Sequence, residues 1–174
     1  MAGIPDGVVL KRDRDLSGRG QEIWIRRGLF SLLPLVCVLA LLNVFGQHPA
    51  TLRTSVSAAT LKVYAPARLR GGLLYVARFR VTAHTELKRA ALVLSPGWLE
   101  GMEINSIEPS PVNEASVDGN LRLELGHIAA GGSYLLFIQF QVVPTNVGRR
   151  SAPVTLFDGD RKLVQLERTV TIFP

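Results

Sequence analysis

The sequence predicts an all-β domain that follows a single membrane-spanning helix. Three patterns support this prediction: a long uncharged segment near the N-terminus, strands in which apolar and polar residues alternate, and turn residues at intervals of about ten positions. The chain has 174 residues, which is enough for one domain of ordinary size and one additional segment.

The uncharged segment is the predicted membrane helix. Residues 29–46, LFSLLPLVCVLALLNVFG, contain no charged side chain. An α-helix of this length reaches about 27 Å, close to the ~30 Å hydrocarbon core of a bilayer. The polar residues Ser31 and Asn43 do not form the polar face that a core helix usually has. We therefore expect residues 23–46 to cross the membrane.

The distribution of basic residues predicts the orientation. Six of them precede the uncharged segment, with Arg26 and Arg27 directly before it, whereas the next two, Arg53 and Lys62, come well after it. Segments rich in Lys and Arg stay in the cytoplasm. Residues 1–22 are thus expected to be a disordered cytoplasmic tail, and the rest of the chain to lie outside the cell membrane.

Whether the helix is retained is left open. Arg26-Arg27, followed by Gly28 and two hydrophobic residues, resembles the core of a twin-arginine export signal. A signal needs small residues before its cleavage site, and the best candidate, Val44-Phe45-Gly46, matches poorly. We expect a retained anchor, with a cleaved and secreted form as the alternative.

The strands are predicted to begin after a linker of small and polar residues, 47–58, and to occupy residues 59–174. In residues 72–84 every second residue is expected to point inward: Tyr75, Ala77, Phe79, Val81 and Ala83. The longest strand is predicted at 133–144, with a second inward set: Tyr134, Leu136, Ile138, Phe140 and Val142.

The remaining segments complete an all-β pattern. Shorter strands are predicted at four places: 61–67, 89–95, 102–110 and 120–126. Asp158-Gly159-Asp160 is typical of a hairpin turn between two further strands in residues 152–174. About seven to nine strands with no helical pattern after Gly46 predict an immunoglobulin-like antiparallel β-sandwich.

Residues 117–144, VDGNLRLELGHIAAGGSYLLFIQFQVVP, carry a resemblance to a known kind of module. Three turns, Asp118-Gly119, Leu125-Gly126 and Ala130-Gly131-Gly132, precede a long apolar strand. This order resembles the immunoglobulin-like modules of unknown function in bacterial surface proteins, over roughly residues 60–174. With its N-terminal anchor, the chain also resembles small single-pass membrane proteins of actinobacteria. The resemblance implies an external domain at the cell envelope and no particular activity.

No catalytic or metal-binding pattern is evident in the sequence. Cys37, the single cysteine, lies in the uncharged segment, so the external domain is predicted to have neither a disulfide nor a thiol nucleophile. The Asp-Gly-Asp turn lacks the ligand series of a calcium loop. Four glutamates are interpreted as solvated residues, not as an acid pair for glycoside cleavage: Glu100, Glu103, Glu108 and Glu114. We expect no enzyme activity, no cofactor, no nucleic-acid partner and no small-molecule substrate.

Two features are candidates for binding. Six basic residues within 22 positions form a candidate patch for anions or a partner: Arg68, Arg70, Arg78, Arg80, Lys88 and Arg89. The alternative is an ordinary solvated sheet face. In addition, five apolar residues are predicted to point outward, towards a partner or a covering loop: Leu74, Val76, Leu135, Phe137 and Val143.

These patterns predict a membrane-anchored, non-enzymatic binding or scaffolding module outside the cytoplasm, such as an accessory subunit of an envelope complex. Its expected partners are the lipid bilayer and a membrane protein or the cell wall. The alternative is a secreted sandwich that binds cell-wall polymer or carbohydrate. A third hypothesis, a membrane-tethered hydrolase, requires that acids or a Ser-His pair cluster in the folded chain.

Overall fold

The computed structural model describes residues 20–42, 44 and 49–174. The chain divides into two compact units, Met1–Phe45 and Gly46–Pro174, which are described separately. Most of the predicted cytoplasmic tail, together with Asn43 and His48, lies outside the described residues.

The first unit contains one helix, α1, Gly20–Leu41. Its segment Ile23–Leu41 is long and apolar enough to cross a membrane, a property that export signals share. Apolar side chains are exposed around the helix, including Leu29, Phe30 and Leu33. A core helix would bury one face, so the helix fits a membrane span or a signal and not a core element.

The second unit is made of strands. Within residues 49–174 the chain forms thirteen of them: β1 (Pro49–Ser55), β2 (Ala59–Pro66), β3 (Arg68–Arg70), β4 (Leu74–Ala83), β5 (Leu87–Leu94), β6 (Met102–Glu108), β7 (Asn113–Val117), β8 (Asn120–Ile128), β9 (Ser133–Val142), β10 (Gly148–Ser151), β11 (Val154–Asp158), β12 (Arg161–Leu166) and β13 (Thr169–Phe173). The helical element in this range is a single 3-10 turn, Pro96–Trp98.

The strands form two five-stranded sheets and one small sheet. The first sheet has the order β1-β2-β4-β9-β6, and the second has the order β12-β11-β5-β8-β7. The third sheet, β10-β13-β3, contains a parallel pair, β13 with β3, whereas the other pairs of described strands are antiparallel. The prediction of an immunoglobulin-like antiparallel β-sandwich behind an apolar helix is confirmed.

The core lies between the two large sheets, and alternation along the strands decides which side chains enter it. All five residues of β4 that were predicted to point inward are buried, as are four of the five in β9, with Tyr134 half-buried. Trp98 lies at the centre, with its ring centre 5.3 Å from that of Phe79 and 5.6 Å from that of Phe140. Because the period of a strand is two residues, the intervening residues of β4 and β9 form the outer face of the first sheet.

Several strands differ from the sequence prediction. Residues 49–55 belong to the predicted linker but form β1, an edge strand of the first sheet that pairs antiparallel with β2. Its sequence, PATLRTS, has one large apolar residue, so it gives little alternation signal. The C-terminal segment contains three strands, not two, because the chain turns again after Leu166. The short strands β3, β7 and β10 were also not predicted.

A candidate anion-binding face

The structure divides the six predicted basic residues among the three sheets. Arg78 and Arg80 lie in β4 and point outward from the first sheet. Lys88 and Arg89 are exposed in β5 of the second sheet, and Arg68 and Arg70 are exposed in β3 of the third sheet. Of the predicted set, the structure thus places Arg78 and Arg80 together on one face, and the binding role of all six stays a prediction.

Two basic residues that the sequence analysis did not select complete the group on the first sheet. Arg53 of β1 lies opposite Lys62 of β2, and Lys62 lies opposite Arg80 of β4. Neighbouring strands are about 4.8 Å apart, so the row of three cations spans about 10 Å. Arg78 lies in the next outward row of β4. We call Arg53, Lys62, Arg78 and Arg80 the cationic strip.

Two aromatic rings hold the guanidinium group of Arg78. Tyr64 of β2 and Phe137 of β9 are its direct cross-strand partners. The Cζ atom of Arg78 is 5.2 Å from the centre of the Tyr64 ring and 5.8 Å from that of the Phe137 ring. Cation–π contacts of this kind contribute about 0.5–1 kcal/mol at exposed sites. They restrict the side chain of Arg78 and leave its N–H groups available.

The cationic strip has no carboxylate partner among the described residues. Among the described residues, the contacts of basic side chains with carboxylates join Arg122 to Glu124 within β8, and His127 of β8 to Glu86, which lies just before β5. Like charges directly opposite each other in a sheet are destabilising. The row Arg53–Lys62–Arg80 therefore carries a cost in the free energy of folding that an anionic ligand would remove.

Two adjoining depressions lie over the strip. The larger has a volume of about 320 Å³ and is lined by seven residues: Thr51, Lys62, Tyr64, Arg78, Arg80, Leu135 and Phe137. The smaller has a volume of about 200 Å³ and is lined by six: Arg53, Thr60, Lys62, Arg80, Thr82 and His84. In the smaller one, Thr60 Oγ1 lies 2.7 Å from Ser55 Oγ and 2.8 Å from His84 Nε2. These depressions offer positive charge and hydrogen-bond donors to an anion.

The same sheet face also carries exposed apolar side chains. Leu74, Val76 and Phe137 are 49%, 42% and 36% exposed, as predicted for outward positions, whereas Leu135 and Val143 are half-buried. Gln141 is the cross-strand partner of Leu74, and Gln139 is that of Val76. No described loop covers Leu74 and Val76. The outer face of the first sheet therefore combines an apolar end and the cationic strip with two exposed acids on its edge strand β6: Glu103, next to Gln141, and Glu108, next to Phe137.

The acidic residues considered for hydrolysis lie apart on the surface. Glu103 and Glu108 are in β6 of the first sheet, Glu114 is in β7 of the second, and Glu100 precedes β6; all four are exposed. In the described part of the chain, no group of three His, Cys, Asp or Glu residues is placed to hold a metal ion. Asp158 accepts a hydrogen bond from the main-chain N–H of Arg89, at 2.8 Å.

One charged residue among those that the structure describes lies in the core, and no sequence pattern pointed to it. Arg168 is 4% exposed, its Cζ is 4.2 Å from the centre of the Trp98 ring, and its Nη2 donates to the carbonyl of Pro66. Burial lowers the pKa of Arg168 and raises that of the Tyr75 phenol, and the charge of Arg168 partly offsets the latter shift. These contacts fasten the β12–β13 turn to the core.

Comparisons with known proteins show no family for the chain. No family model matches the chain, and no curated protein matches it. Similar solved structures include AvmM, described as catalysing macrocyclization in alchivemycin A biosynthesis: 8% identity over 73% of this chain and 97% of that chain, TM-score 0.44. The CARDB domain of a Pyrococcus furiosus protein in complex with di-metal ions is 12% identical over 69% and 98%, TM-score 0.40. A non-cellulosomal cohesin from Archaeoglobus fulgidus is 14% identical over 72% and 91%, TM-score 0.39.

Proposed function

We propose that this protein is a membrane-anchored binding module whose β-sandwich lies outside the cytoplasm and binds anionic groups through the cationic strip. The observation that carries the proposal is the set of four cations on one sheet face, none of which has a carboxylate partner among the described residues. The role is non-enzymatic, as in a scaffolding or accessory subunit of an envelope complex.

The chemistry of the strip favours phosphate or carboxylate groups. Arginine presents its N–H donors in a planar fork that matches the two oxygens of such groups, and lysine adds a point charge. Arg80 and Lys62 border both depressions, so a chain of repeated anionic groups has contacts along the row. Outside a membrane, lipid headgroups and wall polymers carry such groups.

Features of α1 support the anchor. Arg27 Cζ lies 5.8 Å from the centre of the Trp24 ring, one turn earlier. A tryptophan beside basic residues is typical of the interfacial end of a membrane helix.

The anchor is tested with a C-terminal tag in the native organism, with crosslinking of whole cells and washing of the membranes. We expect a full-length chain, 19.0 kDa plus the mass of the tag, in the washed membranes, together with any membrane partner. A shortened chain found outside with wall polymer would support the secreted alternative, which the Arg26-Arg27 pair favours.

A matched pair of charge reversals tests the binding face. Full-length protein in nonionic detergent is loaded on phosphocellulose, a polymer that carries phosphate groups. Arg78→Glu with Arg80→Glu removes two cations of the strip. The control, Lys88→Glu with Arg89→Glu, makes the same change in charge on the second sheet. We expect the first variant to lose retention at least about tenfold, because the double reversal changes the charge of the strip from +4 to 0 within a Debye length and so removes its net attraction for phosphate. Equal losses in both variants would show net charge to be the cause and would contradict the proposal.

A further inference from the structure

We propose that the outer face of the first sheet docks onto the phosphate-bearing surface of an anionic lipid bilayer. This inference rests on the proposed function and names the ligand of the same face. Two features of that face have to be explained together: the cationic strip and the exposed apolar residues Leu74, Val76 and Phe137.

The direction of the strands places the apolar residues at the end of the sheet where the chain enters it. β1 and β4 both run antiparallel to β2, which lies between them, so they start at the same end of the first sheet. β1 starts at Pro49 and β4 starts at Leu74. The apolar end of the face, Leu74 and Val76, is therefore at the entry point of the chain.

The cationic strip follows further along the same strands. Arg78 and Arg80 come two and four residues after Val76, on the same side of β4. Phe137, a ring neighbour of Arg78, lies opposite it on β9. From the entry end onward, the outer face of β1, β2, β4 and β9 thus presents apolar side chains, then aromatic rings around a guanidinium, and then the row of cations. The exposed acids of this face, Glu103 and Glu108, lie on the edge strand β6, on the far side of β9 from β4.

This order suits a membrane interface better than a soluble polymer. Surfaces that bind at the interface combine apolar side chains, which enter the headgroup–acyl boundary, with Lys and Arg, which contact anionic headgroups. A polyanion in solution would neutralise the strip but would leave Leu74 and Val76 exposed to water. A bilayer covers both parts of the face at once.

The chain also keeps this face near a bilayer if α1 spans it. Residues 42–48 join the end of α1 to the start of β1, and seven residues reach at most about 25 Å. A tether of this length holds the sheet at a high effective concentration at the membrane surface. Each residue of the face can then bind the membrane weakly. The tether sets the location of the sandwich, and docking sets its orientation.

A pair of matched labels tests docking in the full-length chain. Cys37→Ser gives a background without cysteine. A polarity-sensitive fluorophore is then attached at Val76→Cys or at Val117→Cys. Both valines are exposed in strands, 42% and 52% respectively, but Val117 belongs to β7 of the second sheet. Each protein is placed in nanodiscs of phosphatidylcholine, or of phosphatidylcholine with phosphatidylglycerol, and acrylamide quenching is measured.

We expect quenching at position 76 to fall about twofold or more when phosphatidylglycerol is present, and quenching at position 117 to stay unchanged. Arg78→Glu with Arg80→Glu should restore quenching at position 76. Equal quenching at the two positions in both lipids would overturn the docking proposal. If position 76 is protected equally in both lipids and also in the double variant, recognition of anionic headgroups is wrong.

Soluble polyphosphate separates failure of this inference from failure of the proposed function. If the chain binds polyphosphate through Arg78 and Arg80 while position 76 stays open in anionic nanodiscs, the ligand is a free polymer. Membrane docking is then wrong, and the anion-binding function stands. If the chain binds neither polyphosphate, phosphocellulose nor anionic nanodiscs, both proposals are wrong.

Discussion

The outer faces of the two large sheets both carry cations, but the cations have different partners on the two faces. On the second sheet, Arg122 donates to the carbonyl of Gly159 at 2.6 Å, lies over the Phe157 ring and is 3.8 Å from a carboxylate oxygen of Glu124. On the first sheet, Arg53, Lys62, Arg78 and Arg80 have no such carboxylate among the described residues. The partners of a cation, more than its presence, distinguish a candidate binding face from a solvated one.

Both faces hold a guanidinium group against aromatic rings. The two faces therefore differ in whether a carboxylate lies next to that group. Arg78 lies between Tyr64 and Phe137 on the first sheet, and Arg122 lies over Phe157 on the second. Stacking restricts an arginine without satisfying its donors. On the second sheet, a carbonyl and a carboxylate occupy those donors; on the first, they remain for a ligand.

The largest effect that we expect is that of salt on the binding of phosphocellulose by the first face. Between about 0.1 and about 1 M NaCl the Debye length falls from about 10 to about 3 Å, so retention of the wild type on phosphocellulose should fall by more than about tenfold. The Lys88→Glu, Arg89→Glu variant should lose retention in parallel, because its strip is intact. Retention that persists at high salt would mean that apolar contacts hold the polymer.

Adding an acid to the outer face of the first sheet should give its cations a carboxylate partner, as on the second sheet, without removing a cation. Leu135 lies opposite Arg80 on β9 and borders the larger depression. Leu135→Glu places a carboxylate beside the strip, and an exposed pair of this kind is worth up to about 1 kcal/mol. We expect about a fivefold loss of binding to anionic vesicles. Leu135→Gln is the control of matched shape, and if it weakens binding equally, the loss comes from the changed surface and not from the charge.

A smaller effect is expected in folding stability. Lys62 lies between Arg53 and Arg80 in register, so Lys62→Glu replaces two like-charge contacts by two attractive ones. We expect the free energy of unfolding, from urea titration at low salt, to rise by about 0.5 kcal/mol while anion binding falls. Lys62→Gln should give an intermediate rise. A loss of stability in the Glu variant would show that the row is not strained by its own charge.

Most of the core was predictable because alternation decides burial in a half-buried strand. From Tyr75 to Ala83, the residues of β4 alternate between buried and exposed as a period of two predicts. Thr82 alone among them is half-buried where exposure was expected. The edge strands β1, β7 and β10 were not predictable in this way. Their residues are mostly exposed or half-buried on both sides, so no apolar alternation marks them.

The binding face was only partly predictable because it is assembled across strands. Proximity in sequence grouped Arg78 with Lys88 and Arg89, but the turn after β4 carries the latter two to the second sheet. Register, in contrast, brings Arg53 and Lys62 to Arg80 from earlier strands. A prediction of strand pairing would have found this row, whereas a count of charges in a window does not.

The smallest expected effect comes from removing an acid on the second sheet. Glu124→Gln takes the carboxylate from Arg122, yet that guanidinium keeps its bond to the Gly159 carbonyl and its contact with the Phe157 ring. An exposed ion pair contributes little, and a single released arginine has no neighbouring row of cations. We therefore expect retention on phosphocellulose to rise by less than about twofold. If retention instead rises by as much as the cationic strip contributes, any unpaired arginine on this sandwich binds anions. The row of cations on the first sheet would then not be a distinct binding site.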